Sequence, residues 1–162
     1  MTDLDHLPRA LRALNMRPLF TMTVAVDAVH LPGGPAGAER RIGDVGGGAF
    51  RGERLSGTIL AGGTDWQTLR SDGAVLLDAR VVLRTDDGAL IAMSYGGIRH
   101  AAPEIASRIA RGEEVDPAAY YFRITASFST AAPHYDWLNR IVAVGTGHRR
   151  GQGPIYNIFE IL

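Results

Sequence analysis

The chain has no cysteine. Disulfides, thiol nucleophiles and every cysteine-based metal site are therefore excluded. Neither charge is in excess: 17 Lys and Arg residues balance 17 Asp and Glu residues. That balance removes the basic footprint of a nucleic-acid-binding protein, so its tryptophans and tyrosines are expected to face the core or a small molecule. Nowhere is there an apolar run of the roughly 18 residues that a membrane-spanning helix needs. Residues 1–18 also lack a continuous apolar core and carry Asp3, Asp5, His6, Arg9 and Arg12. They do not read as a secretory signal, and a cytoplasmic protein with no membrane partner is expected. No Gly-x-Ser-x-Gly elbow, phosphate-binding loop or dinucleotide fingerprint is present. His6, His30, His100, His134 and His148 include no pair three to five residues apart, so no local metal motif exists. The expectation is no metal and no cofactor.

What remains is one domain's worth of core-forming sequence: 162 residues, 46% of them hydrophobic. Residues 4–14 place Leu4, Leu7, Leu11 and Leu14 at helical spacing behind an early Pro8. This predicts an amphipathic N-terminal helical extension over residues 1–17, packing on its own domain or on a sister subunit of a homo-oligomer. A β-domain is expected over residues 18–162. Residues 18–29 alternate as a strand, with Phe20, Met22, Val24 and Val26 on one face. Residues 31–48, rich in glycine and proline, read as a flexible loop. A phosphate cradle there would need a following helix, and residues 50–60 look strand-like instead.

Residues 64–100 carry the strongest local signal. Two Asp-Gly turns, Asp72-Gly73 and Asp87-Gly88, bracket a β-branched run, which predicts a three-strand meander. A proline-opened helix follows over residues 103–111, ended by Gly112. Strand patterns resume over residues 120–129, 138–147 and 155–161. About eight short strands with one or two helices predict a mainly β, antiparallel barrel or sandwich.

Several polar residues stand in strand-like company. Asp78 and Arg80 share one face of the middle meander strand with Leu76 and Val82, while Val75, Leu77, Ala79, Val81 and Leu83 form the other. The second face is the cleaner core face, so periodicity favours solvent for the charged pair, at the value of a surface ion pair. Tyr121 and Arg123 lie on the more polar face of residues 120–129. Asn139 is either a loop tie or a substrate amide contact. Asp65 and Trp66 follow Gly62-Gly63 as a rim residue and an aromatic wall, or Trp66 as a barrel cap.

Four blocks, residues 47–66, 77–91, 120–130 and 135–147, together resemble the bacterial and fungal domain of unknown function 3237. The likeness runs from about residue 19 to the C-terminus. It implies a closed, meandering eight-stranded barrel of the allene oxide cyclase type. The family's recurring polar positions would fall on Asp65, Trp66, Asp78, Arg80, Arg84, Arg123, Trp137 and Asn139. Because a small barrel can hold one ligand in its interior, the resemblance moves Asp78 and Arg80 toward the lumen, against the periodicity.

Two functions follow as expectations. One is a cofactor-independent lyase or isomerase/cyclase acting on a carbonyl-bearing or aromatic metabolite. Arg80 and Arg123 would hold a carboxylate or developing enolate, and Asp78, or else His100, would move a proton. Asp65, Trp66, Tyr121, Trp137 and Asn139 would contact substrate. The other is a non-catalytic carrier of a small ligand in the same lumen.

Overall fold

The computed structural model describes residues 4–162. Nine strands make up almost the whole of it: β1 (Met16–Gly33), β2 (Ala38–Arg51), β3 (Ser56–Ile59), β4 (Gly63–Arg70), β5 (Val75–Thr85), β6 (Leu90–His100), β7 (Tyr121–Ser129), β8 (Ala143–Arg150) and β9 (Gly153–Ile161). All pairings are antiparallel. They follow the order β1-β9-β8-β7-β6-β5, then β3 or β4, then β2, which pairs back with β1. β4 bridges β2 to β5 along one half of their length and β3 bridges them along the other. The ring therefore has eight positions, one of them filled by two successive segments. This is the closed antiparallel barrel, free of open edges.

The meander is as the turns dictate. Arg70 and Ala74 close the first hairpin around Gly73, and Thr85 and Ala89 close the second around Gly88. The stretch 31–48, expected to be a loop, is instead strand except for a short turn between β1 and β2. Its glycines serve close packing. A Cβ on Gly48 would lie 2.1 Å from the Thr23 carbonyl oxygen of the neighbouring strand. At Gly47, where β2 bulges against β1, φ is +123°, a conformation other residues avoid.

Two helical elements matter for the site. α1 (Pro103–Ala110) lies in the connection from β6 to β7, with Ile105 and Ile109 turned toward the core. A 3-10 helix, Pro133–Arg140, occupies the first part of the stretch expected to be strand from residue 138. It buries Tyr135 and Leu138 at the opposite end of the barrel. Residues 1–3 of the expected N-terminal extension lie outside the described residues; among the described ones it is helical only as two one-turn 3-10 segments, Leu4–His6 and Arg9–Leu11. Leu4, Leu7, Leu11 and Leu14 are all exposed, so the stripe is not part of the described core. No described helix is long and apolar enough to cross a membrane.

The barrel interior divides along its axis. Toward the 3-10 helix it is closed by Phe20, Phe50 and Phe128, with ring centroids 5.4 Å (Phe20 to Phe50) and 6.1 Å (Phe20 to Phe128) apart. Toward α1 it opens into a cavity.

Candidate functional site

Strand alternation decides which side chains reach the lumen. Along β5, burial alternates strictly: Val75, Leu77, Ala79, Val81, Leu83 and Thr85 point inward, and Asp78, Arg80, Val82 and Arg84 point outward. Asp78 and Arg80 are thus on the outer face. Their expected lumen position is corrected, because the buried phase of this strand belongs to its apolar residues. β7 behaves likewise: Phe122, Ile124, Ala126 and Phe128 are buried, while Tyr121 and Arg123 are exposed, the Arg123 guanidinium lying 5.0 Å from the Tyr121 ring centroid. Trp66 is 49% exposed and donates from its indole nitrogen to Thr64 Oγ1 at 3.2 Å.

Trp137 and Asn139 sit on the 3-10 helix at the closed end, away from the cavity. The Arg54 guanidinium stacks 4.1 Å from the Trp137 ring centroid. Asn139 accepts from the Thr130 backbone N–H at 2.8 Å and donates to the Thr130 carbonyl at 2.9 Å, tying down the loop after β7. Of the alternatives for Asn139, the loop tie is the one its geometry makes.

Asp65 is the one expected site residue that reaches the cavity. The void measures about 340 Å³, at the small end of the range for small-molecule sites. Its polar lining is Asp65 and Gln67 from β4, Arg70 at the end of the same strand and paired with Asp72, Arg41 from β2, Arg99 from β6, Arg149 from β8, and the hydroxyl-bearing rings of Tyr95 and Tyr156. Val24, Val26, Leu69 and Phe122 give it apolar walls, and α1 contributes Ala106, Ile109 and Ala110.

A hydrogen-bonded chain runs through this site. Arg41 Nη2 donates to Gln67 Oε1 at 3.0 Å, and Gln67 Nε2 donates to Asp65 Oδ2 at 2.7 Å. The second carboxylate oxygen, Asp65 Oδ1, is buried and has no hydrogen-bond partner. Burial pushes the Asp65 carboxyl above the ordinary range, against the Gln67 hydrogen bond, the nearby Asp78 backbone N–H and the field of Arg99. Burial first, then the fields of Arg41 and Arg149, lowers the Arg99 guanidinium from its usual value. Tyr95 and Tyr156 meet edge-on at 5.6 Å between centroids. Burial, with Asp65 nearby, raises both phenols, so they stay protonated as donors. At the margin of the site, Tyr120 Oη accepts from the Arg149 backbone N–H at 2.8 Å and lies 2.9 Å from His148 Nδ1.

Chemically, the site offers one desolvated carboxylate with a free oxygen, three guanidiniums with no carboxylate partner and two protonated phenols. That is a base, anion stabilisers and acids around a space for one small molecule. Among the described residues no group of three or more His, Asp or Glu side chains could hold a metal ion. The arginines and tyrosines were legible in principle. Arg99 continues the buried phase of Ile91, Met93 and Tyr95, Arg149 that of Ala143, Gly145 and Gly147, and Arg41 that of Gly43 and Val45. A charged residue in phase with a buried run was the available signal.

Relatives share this fold. A UPF0311 protein of Rhodopseudomonas palustris is 34% identical over 149 residues, covering 92% of this chain and 97% of its own. Its crystal structure superposes with a TM-score of 0.89 over 93% of this chain and 99% of that one. A beta-barrel like protein from Acinetobacter baumannii is 40% identical, with a TM-score of 0.82 over 97% of this chain and 99% of that one. The hydroalkoxylation enzyme phnH of Penicillium herquei is 30% identical over 100 residues, which is 62% of this chain and 52% of that enzyme. The structure of an enzyme from the same fungus has the same fold, at a TM-score of 0.71 and 22% identity over 92% of this chain and 95% of that one. Residues 14–161 match the family described as protein of unknown function (DUF3237), and the chain belongs to that family.

Proposed function

We propose that this protein is a cytoplasmic, cofactor-independent enzyme that moves protons on a carbonyl-bearing metabolite in the barrel lumen, with Asp65 as general base. The observation that carries the reading is the buried Asp65 carboxyl, with Oδ1 unpartnered and its pKa raised, facing a cavity lined with cationic and phenolic donors. A carboxylate stripped of solvent is a stronger base than one in water, and its raised pKa lies closer to working pH. Catalytic roles first expected of Asp78, Arg80 and Arg123 fall in this reading to Asp65 and Arg41.

The relative named for hydroalkoxylation supports a specific version of this chemistry. In such a step the substrate O–H adds across a C=C conjugated to a carbonyl. Asp65 takes the hydroxyl proton as the oxygen bonds to the β-carbon. The alkene electron pair moves to the carbonyl oxygen, giving an enolate that Arg41, held by Gln67, and the two phenols would stabilise. Return of the proton to the α-carbon completes the addition with no redox change. Within one molecule the reaction is a cyclisation, and reversed it is a lyase elimination.

The test is turnover of hydroxy-enone and aryl hydroxy-alkene substrates by the wild-type protein, Asp65→Asn and Asp78→Asn. Product from wild type and Asp78→Asn, but not from Asp65→Asn, supports the reading. Equal turnover by all three removes Asp65 from the mechanism. Ligand-induced stabilisation with no product from any of them would make the protein a carrier.

A further inference from the structure

We propose that the lumen selects a ligand carrying a carboxylate, and that Arg99 is the anchor for that group, a specificity residue distinct from the reacting centre. The inference rests on the lumen being the ligand site, and it names the class of molecule the site takes: a small aromatic or unsaturated acid.

The first argument is charge. Four guanidiniums and one carboxylate line the cavity, and only Arg70 among the four has a carboxylate partner, Asp72, while the chain as a whole carries no net charge. Positive charge is thus concentrated in the half-buried lumen, and even a fully ionised Asp65 leaves the other three guanidiniums uncompensated. The second argument is pairing. Arg41 is tied to Gln67, and Arg149 donates to the Arg150 carbonyl. Among the described residues Arg99 has no hydrogen bond or ion pair with protein, and the Phe122 ring lies 5.9 Å from its guanidinium carbon. A guanidinium presents five donors in a planar fork that matches a carboxylate. Leaving it half-buried and unpaired beside two other cations is costly unless something else supplies the anion.

Asp65 does not supply it. It forms no ion pair with the lumen arginines, and its Oδ1 is unpartnered. The two unmet needs are therefore separate: an acceptor oxygen awaiting a proton, and a fork awaiting an anion. The apolar walls from Val24, Leu69 and Phe122 fit the hydrocarbon body between them.

The experiment compares cinnamate with cinnamamide, which share shape but not charge, by calorimetry on the full chain. Wild type should bind the acid more tightly than the amide. Arg99→Met should weaken the acid by about 10- to 100-fold, the range for losing a charge-assisted hydrogen bond, while leaving the amide unchanged. Arg123→Met, altering an exposed cation on the outer face, should change neither. Without ligand, Arg99→Met should melt above wild type, because an unpaired buried charge has gone. Arg99→Lys, which keeps the charge but loses the fork, should bind the acid with intermediate affinity.

Equal binding of acid and amide by wild type, no binding of either, or undiminished acid binding by Arg99→Met each overturns the proposal. A melting point lowered by Arg99→Met makes Arg99 a structural residue and also overturns it. The two readings fail separately. Loss of turnover in Asp65→Asn with unchanged acid binding in Arg99→Met leaves the acid–base reading standing alone. The expected binding pattern without turnover from any variant leaves only the ligand class.

Discussion

Two buried carboxylates at opposite ends of one barrel meet arginines in opposite ways. At the closed end, Glu160 accepts from Arg17 Nη2 at 2.8 Å and from Arg54. Burial alone would raise Glu160, but these two guanidiniums outweigh it and hold the carboxyl below its ordinary value. At the open end, Asp65 shares a cavity with four arginines and forms an ion pair with none, so burial wins and its carboxyl is raised. Proximity to positive charge does not decide the ionisation of these two acids; direct hydrogen bonds from the charged donors do. The closed end is satisfied internally and stabilises the fold. The open end is left unsatisfied, at a cost to stability, as a site built for another molecule would be.

Substitutions at the two ends should therefore separate activity from stability. The largest effect belongs to Asp65→Asn, expected to lower turnover by about 10²- to 10⁴-fold, the usual worth of a general base, with an unchanged far-ultraviolet circular dichroism spectrum. The acid limb of the wild-type rate profile should lie above the ordinary carboxylate range, since Asp65 acts only when ionised; a limb at an ordinary carboxylate value would deny it the role. Next comes Phe50→Ala at the closed end. This ring is completely buried, and its loss should cost about 3–5 kcal/mol in denaturant unfolding, with cinnamate affinity unchanged in the folded fraction.

The two carboxylates should then give stability changes of opposite sign. Glu160→Gln should destabilise by roughly 1–3 kcal/mol at neutral pH, because it breaks a buried charged pair. A depressed acid stabilises above its unfolded value and loses that contribution as pH falls through the folded one, so the difference from wild type should vanish in acid. Asp65→Asn should stabilise by roughly 0.5–2 kcal/mol at neutral pH. A raised acid costs stability as pH climbs from its unfolded value through the folded one, so this gain should also fade in acid, where Asp65 is protonated in both states. Thermal melts from pH 3 to 8 read both, and like signs would erase the contrast between the ends. The smallest effect is expected of Asp78→Asn and Arg80→Ala on the outer face, within about 0.5 kcal/mol and with no loss of turnover.

The fate of β5 shows how far the sequence could be trusted. Its alternation of Val75, Leu77, Ala79, Val81 and Leu83 with Leu76, Asp78, Arg80 and Val82 already put the charged pair in solvent, and the structure agrees. Family resemblance led to the barrel, whose strand count it matched, but drew Asp78 and Arg80 inward against that alternation. Recurrent polar positions in a family can lie on an outer surface as readily as in a lumen, so recurrence carries no direction. The stretch 31–48 shows a different limit. Its glycines read as a loop because propensity scores a residue alone, whereas in β2 they let a neighbouring backbone approach.

The sequence by itself determined an antiparallel barrel or sandwich of about eight strands, its meander turns and which phase of most strands is buried, and the family resemblance chose the barrel. Those features depend on spacings of one or two residues and on turn chemistry, and both are local. Only the tertiary structure decided the site. Arg41, Asp65, Arg99 and Arg149 lie on four strands and become neighbours only when the sheet closes on itself. Whether a buried charge is paired, like Glu160, or left open, like Asp65 and Arg99, depends on distances across the barrel that no window of sequence contains.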